Sequence, residues 1–329
     1  MLESDFLERW QKEGACYAAW GRFVANELRD AIAQRVAPTT LELFLKMPVV
    51  PRLKETESLL QKAFRRNKGY QDAWAQIEDK IGLRLVVLVE DDVRTIESVI
   101  CDKQRNWTAN KARDFLEERD ANPSVFGYQS LHYILKPSSE FEFEDYRITN
   151  EMNCEVQVRT LLQHAFSELT HDTIYKPSVQ ATPSVQRLVA RSMALIEVAD
   201  DTFSAVSKAI KSAAAPGARL AALLAVRYEK LVEEAPSSTP LNSLIIDHYK
   251  MLAGNDFEYH LDRWLDEKPY VSMFIRERRR NNSLFRVPSV LMLYYMIAKY
   301  PRQARIDCPV VDEDLEMMYS DLGLAFYGL

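Results

Sequence analysis

IGLRLVVLV, residues 81–89, decides the fold. One charge in nine residues and a wealth of β-branched side chains make this run too apolar for a surface element, so it reads as a central strand covered on both faces. Working outward, Asp91 or Asp92 caps a helix over 93–101, and two further strands are expected at 128–135 and 154–159. A polar, acidic, Phe-containing connection over 136–153 joins them. Upstream, Phe6, Trp10, Tyr17, Trp20, Val24, Leu28 and Ile32 recur at helical spacing, which predicts a long amphipathic helix over 2–36, ended by Pro38. A second helix is expected over 54–66, followed by a turn at Gly69. The result is a mixed α/β (α+β) core. Beyond it the pattern is helical, at about 160–175, 184–213 and 216–234, and EAPSSTP at 234–240 reads as a linker. We therefore expect domains at 1–234 and 235–329, the second an all-helical region with no chemical constellation of its own.

Composition narrows the function classes. A net charge of −6 argues against a general affinity for nucleic acid. The cysteines at 16, 101, 154 and 308 are too scattered for a zinc site or a secreted framework, which points to a reducing, cytoplasmic setting. MLESDFLERW at the start is no signal peptide, and the longest apolar run, 290–298, is about half of the roughly 20 residues that span a bilayer, so no membrane partner is expected. No two of the nine glycines have G-x-G spacing, so any nucleotide must be held by side chains. The one cationic stretch, 51–70, carries Arg52, Lys54, Lys62, Arg65, Arg66 and Lys68 against Glu55 and Glu57.

On a helix, Lys54, Ser58 and Lys62 would form one line behind Arg52, able to track a chain of phosphates or to serve as a solvated face. Asp79 precedes the central strand, and Arg84 lies within it, where a charge needs a partner or a cleft. Glu155, Gln157 and Arg159 share one face of the third strand; Tyr128, Ser130 and His132 share one face of the middle strand. His164, Glu168, His171 and Tyr175 form a stripe on the following helix, either lining a cavity or packed as interior groups.

In order, Arg52-x-Lys54-x-x-x-Ser58-x-x-x-Lys62, Asp79-x-x-Gly82-x-Arg84, Gly127-Tyr128-x-Ser130-x-His132, Glu155-x-Gln157-x-Arg159-Thr160 and His171-x-x-x-Tyr175-Lys176 closely resemble the synthetase domain of the RelA/SpoT family. The resemblance spans about residues 45–180 and is softer over 194–206. It implies a nucleotidyltransferase-like mixed sheet flanked by helices, and transfer of the β,γ-pyrophosphate of ATP to the ribose 3′-hydroxyl of GDP or GTP, making (p)ppGpp. Carried onto matching positions, Arg52 and Arg84 would sandwich adenine, and Lys54, Ser58 and Lys62 would hold the ATP phosphates. Asp79 and Glu155 would bind Mg²⁺, with Glu155 also taking the proton of the attacking hydroxyl. Tyr128 would stack on the acceptor base, with His132, Gln157, Arg159 and His164 around it.

The departures fall on the acceptor side. Ser124 stands where many members carry Lys, and Phe126 stands where a polar residue is common. A relative that pyrophosphorylates the tRNA 3′ end or adenosine nucleotides is thus an alternative, with residues 65–68 and 276–280 as candidate RNA contacts, and a catalytically silent nucleotide-binding module is another. About 45 residues precede the first motif, so a synthetase without its own hydrolase is expected; homo-oligomerisation is left open.

Overall fold

The computed structural model describes residues 2–66, 68–102, 106–127, 129–173, 182–237, 239–254 and 256–327, leaving out the side chains of 171–173. They divide into two compact units, 1–207 and 208–329.

The first unit is built on a five-stranded mixed sheet. Its strands are β1 (Arg52–Leu53), β2 (Ile81–Val87), β3 (Trp107–Arg113), β4 (Leu131–Pro137) and β7 (Cys154–Thr160), while β5 (Phe141–Phe143) and β6 (Tyr146–Ile148) form a separate hairpin. The sheet order is β1-β2-β7-β4-β3, with β2 and β7 parallel and the other pairs antiparallel. Its helices are α1 (Glu3–Val36), α2 (Leu41–Phe44), α3 (Thr56–Leu60), α4 (Ala73–Gln76), α5 (Glu90–Ile100), α6 (Phe115–Ala121) and α7 (Leu161–Thr173).

Strand periodicity separates two environments. Ile81, Leu83, Leu85 and Val87 on β2 join Cys154, Val156 and Val158 on β7 and Leu131, Tyr133 and Leu135 on β4 in a core shared with α1 and α5. Gly82, Arg84, Glu155, Gln157 and His132 alternate with them and therefore occupy the other face. The expected helix over 2–36 is α1, and its apolar stripe supplies Phe6, Trp10, Tyr17, Trp20, Val24, Leu28 and Ile32 to that core. Gly21 permits the closest approach: a Cβ there would lie 2.6 Å from Ile81 Cγ1 and 3.0 Å from Pro51 Cβ. Close packing of α1 thus sets the height of β1 and β2, and Asp79 lies just ahead of β2.

Several expectations shift. The helix expected over 54–66 begins at Thr56, and after Leu60 it continues as a π-helical turn, Gln61–Arg65. Lys54 belongs instead to the β1 edge, where its N–H donates to Lys80 O at 2.9 Å. Within the connection expected over 136–153, β5 and β6 form a hairpin turning at Glu144 and Asp145, both at positive φ. Its Phe141 and Phe143 rings pack on Phe23.

The helices expected at 184–213 and 216–234 are one, α8 (Pro183–Val232), with Pro216 inside it. Among the described helices α8 alone is long and apolar enough, by length and composition, to cross a membrane. The division between units falls within it, at 207/208, rather than at the expected 234/235 break. The physical reason is packing: Leu224, Tyr228 and Val232 belong to the core of the second unit. That unit is helical: α9 (Pro240–Ala253), α10 (Phe257–Glu267), α11 (Tyr270–Arg278), a 3₁₀ turn (Ser283–Arg286), α12 (Val290–Lys299) and α13 (Asp312–Asp321). The apolar run at 290–298 is its buried centre, α12.

Candidate active site

Asp79 is the hub of the polar face. Lys54 Nζ donates to its Oδ2 at 2.5 Å, and Lys62 Nζ lies 2.9 Å from Oδ1. Thus Lys54 and Lys62 do converge, although not as a helical line; the π turn brings Lys62 round to the carboxylate that Lys54 reaches from the strand. π turns in α-helices gather at functional sites, which fits this use. Burial alone would raise the Asp79 carboxyl, but Lys54 and Lys62 outweigh it and hold it below the usual carboxylate range. The Lys62 contact is an ion pair without hydrogen-bond alignment, so Oδ1 keeps unused acceptor capacity in a half-buried position. Ser58 is half-buried on α3.

Glu155 is the second carboxylate. It stands opposite Gly82 in the parallel β2–β7 pairing, three residues beyond Asp79. Its Oε1 lies 3.0 Å from His132 Nδ1, and its Oε2 accepts from Gln157 Nε2 at 2.8 Å. Burial, and Asp79 nearby, push its carboxyl up; the contacts with His132 and Gln157 prevail and leave it below its ordinary value. Gln157 in turn accepts from Arg159 Nη2, and Arg159 is only 1% exposed. These four residues form one chain across β4 and β7.

Arg52 is opposite Gly82 on β1, so Arg52 and Arg84 are diagonal neighbours on the polar face. Arg84 answers the sequence alternative in both ways: it is partly exposed, and its Nη1 donates to Glu168 Oε1 on α7 at 2.7 Å. His164 is buried on the same helix, and its Nδ1 has no hydrogen-bond partner among the described residues. Burial and the Arg159 charge lower its pKa, favouring the neutral ring. Tyr128, Tyr175, Lys176 and the His171 side chain lie outside the described residues.

Lys80, beside Asp79, is a residue the sequence reading passed over. It is 1% exposed, donates to Trp74 O at 2.5 Å and Ile77 O at 2.6 Å, and faces the Tyr17 and Trp74 rings. Burial pushes it down to about 8. It ties α4 to the start of β2 and so fixes the chain on which Asp79 sits. The available signal was a lysine heading an apolar run, a place where charge demands partners.

Among the described residues no group of three or more His, Cys, Asp or Glu could enclose a metal. Two carboxylates are nevertheless what Mg²⁺ uses when substrate phosphates and water complete its octahedron, and the spare capacity at Asp79 Oδ1 suits such a hard cation. Asp79 and Glu155 therefore fit Mg²⁺ in company with a polyphosphate. A hollow of about 340 Å³ beside β3 and α6 is less suited to a ligand, because Lys111 and Arg113 there are paired with Asp114, Glu117 and Glu118.

Residues 51–180 match the family described as the region found in RelA / SpoT proteins. No curated protein matches the chain. Among solved structures it is similar to a GTP pyrophosphokinase family protein from Streptococcus pneumoniae, with TM-score 0.52 and 20% identity over 62% of this chain and 96% of that one. It is also similar to small alarmone synthetase 1 of Bacillus subtilis, with TM-score 0.50 and 18% identity over 62% of this chain and 99% of that one. Small alarmone synthetase 2 of Bacillus subtilis gives TM-score 0.50 and 19% identity over 61% and 98%. At these identities the likeness is one of fold.

Proposed function

Because the chain carries a RelA/SpoT region over residues 51–180, we propose that it is an alarmone synthetase that transfers the β,γ-pyrophosphate of ATP to the 3′-hydroxyl of GDP or GTP. The observation that carries this reading is the half-buried pair Asp79 and Glu155, with Lys54 and Lys62 both drawn to Asp79.

Each group has work to do in that reaction. Arg52 and Arg84 hold the adenine between guanidinium planes, Arg84 exchanging Glu168 for the ring. Lys54, Ser58 and Lys62 bind the phosphates, the two ammonium groups trading part of their contact with Asp79 for phosphate oxygens. Asp79 and Glu155 hold Mg²⁺, which when bound neutralises charge on the phosphate oxygens. Glu155, kept ionised by His132 and Gln157, takes the proton of the acceptor hydroxyl. The O3′–Pβ bond forms as the bond from Pβ to the bridging α,β-oxygen breaks, and AMP leaves. Such a reaction needs positioning and charge neutralisation more than covalent help. His132, Gln157, Arg159, His164 and Tyr128 form the acceptor side. Ser124, without the Lys charge, weakens the grip on a 5′-diphosphate, and Phe126 alters base selection. Four free cysteines fit a cytoplasmic setting.

The test is incubation with γ-labelled ATP and Mg²⁺ against separate GDP, GTP, GMP, ATP and deacylated tRNA, followed by product separation. Label on GDP or GTP is the expected result. Label confined to tRNA or adenosine nucleotides would replace the acceptor assignment, and label on none would contradict the enzyme reading.

A further inference from the structure

Five polar side chains outside the proposed reaction centre close a ring. Thr160, the last residue of β7, donates from Oγ1 to Asp200 Oδ2 at 2.7 Å. Gln163 N–H donates to Thr160 Oγ1 at 3.1 Å, and Thr160 N–H donates to Gln163 Oε1 at 3.0 Å. Gln163 Nε2 then donates to Gln129 Oε1 at 3.3 Å, and Gln129 Nε2 donates to Glu197 Oε1. Glu197 and Asp200 are one turn apart on α8, so the circuit returns to where it began. Thr160, Gln163, Gln129 and Asp200 are all buried.

Apolar side chains would fill such a place at less desolvation cost. What a buried network of this kind adds is a single geometry, because other arrangements strand more polar groups away from water; as it stands, Asp200 Oδ1 has no hydrogen-bond partner among the described residues. The geometry being fixed is informative. Gln129 is two residues before β4, whose His132 contacts Glu155, and Ser130 Oγ beside it donates to Val158 O at 3.4 Å. The ring therefore clamps the entry of β4 to the exit of β7, using α8 as the brace.

We infer that this ring, braced by Asp200 and Glu197, positions the acceptor side of the site, and that Thr160, Gln163 and Gln129 are positioning residues for the acceptor rather than for ATP. The ATP side, on β1, α3 and the start of β2, shares no member of the ring. This inference rests on the acceptor assignment above, so its test has one arm that does not need turnover.

The experiment compares the full chain with Thr160→Val, which removes the hydroxyl at nearly constant shape, and Thr160→Ser, which restores it. In Thr160→Val, amide hydrogen exchange across 129–132 accelerates about tenfold or more, with 81–87 unchanged, because local opening is read segment by segment. The acceptor KM rises about tenfold with the ATP KM within about twofold, a loss of acceptor binding alone. Thr160→Ser returns both to wild-type values. Unchanged exchange over 129–132, equal acceleration over 81–87, or KM values rising together would overturn the inference. Should Thr160→Val fail to fold, Asp200→Asn is read by the same arms. A wild-type chain that transfers nothing refutes the proposed function, while the exchange arm still decides the ring.

Discussion

Two basic stretches in this chain have the same look in sequence and opposite uses in structure. In 52–62, Lys54 and Lys62 both point at one half-buried carboxylate, Asp79, whose charge is felt by a second, Glu155. In 276–286, by contrast, Arg276, Arg279 and Arg286 are turned onto backbone carbonyls, the first two also pairing with the exposed Glu233 and Glu234. Arg276 donates to Leu231 O, Arg279 to Ala235 O, and Arg286 to the carbonyls of Arg279 and Arg280. Arg278 adds a two-pronged pair with Asp321, which also accepts from Tyr294. Cations on carbonyls close helix ends and turns, and have little left for a ligand. Cations on a carboxylate that can turn to a metal are ready to change partners. Charge density therefore misleads, and what each charge faces decides.

Glu155→Gln should fold normally yet lose on the order of 10³ in transfer rate, the scale of losing a central electrostatic group; near-normal turnover would collapse the distinction. In the second stretch, Arg278→Ala should destabilise the protein by about 3 kcal/mol, because the buried Asp321 carboxylate keeps only the neutral Tyr294 hydroxyl and loses its countercharge. Calorimetry would show it as a lower Tm, with transfer rate unaltered well below that temperature. Lys62→Met should cost roughly tenfold to a hundredfold in kcat/KM, one phosphate cation among several.

Lys62→Met should also change the acid limb of stability. Asp79 and Glu155 have folded pKa values below their unfolded ones, so their stabilisation is present above the unfolded values and lost as pH falls through the folded ones. Urea titrations below pH 5 should show a shallower acid loss in the variant. Asp200 has the opposite sign: burial pushes it up to about 6, so its contribution is full below its ordinary value and lost as pH rises through about 6. Smallest of all, Arg65→Gln removes only exposed pairs with Glu3 and Glu57, and should cost less than about 1 kcal/mol with no change in activity.

The central strand and α1 were legible because each has one strong period and the matching burial. β3 was not, since WTANKAR alternates weakly on an edge and most of its side chains stay in solvent. The β5–β6 hairpin was hidden because its left-handed turn uses Glu144 and Asp145 in place of the usual Asn or Gly. Pro216 pointed to a helix break, but an Ala-rich neighbourhood and the downstream anchors Leu224, Tyr228 and Val232 carry α8 through it. At the site, Asp79, Glu155, His132 and Gln157 were legible through strand alternation and motif order. Lys80 and the Thr160–Asp200 contact were not, because their partners are fixed only when distant segments pack.

Asp79 and Glu155 are proposed to act together as one metal–nucleotide centre. Their joint action is tested most directly by titrating Mn²⁺, as a stand-in for Mg²⁺, into the protein with a non-hydrolysable ATP analogue, with magnetic resonance reporting bound metal. Nucleotide-dependent binding is expected in the wild type, falling by about tenfold or more in both Asp79→Asn and Glu155→Gln. Equal metal affinity in all three proteins would contradict it.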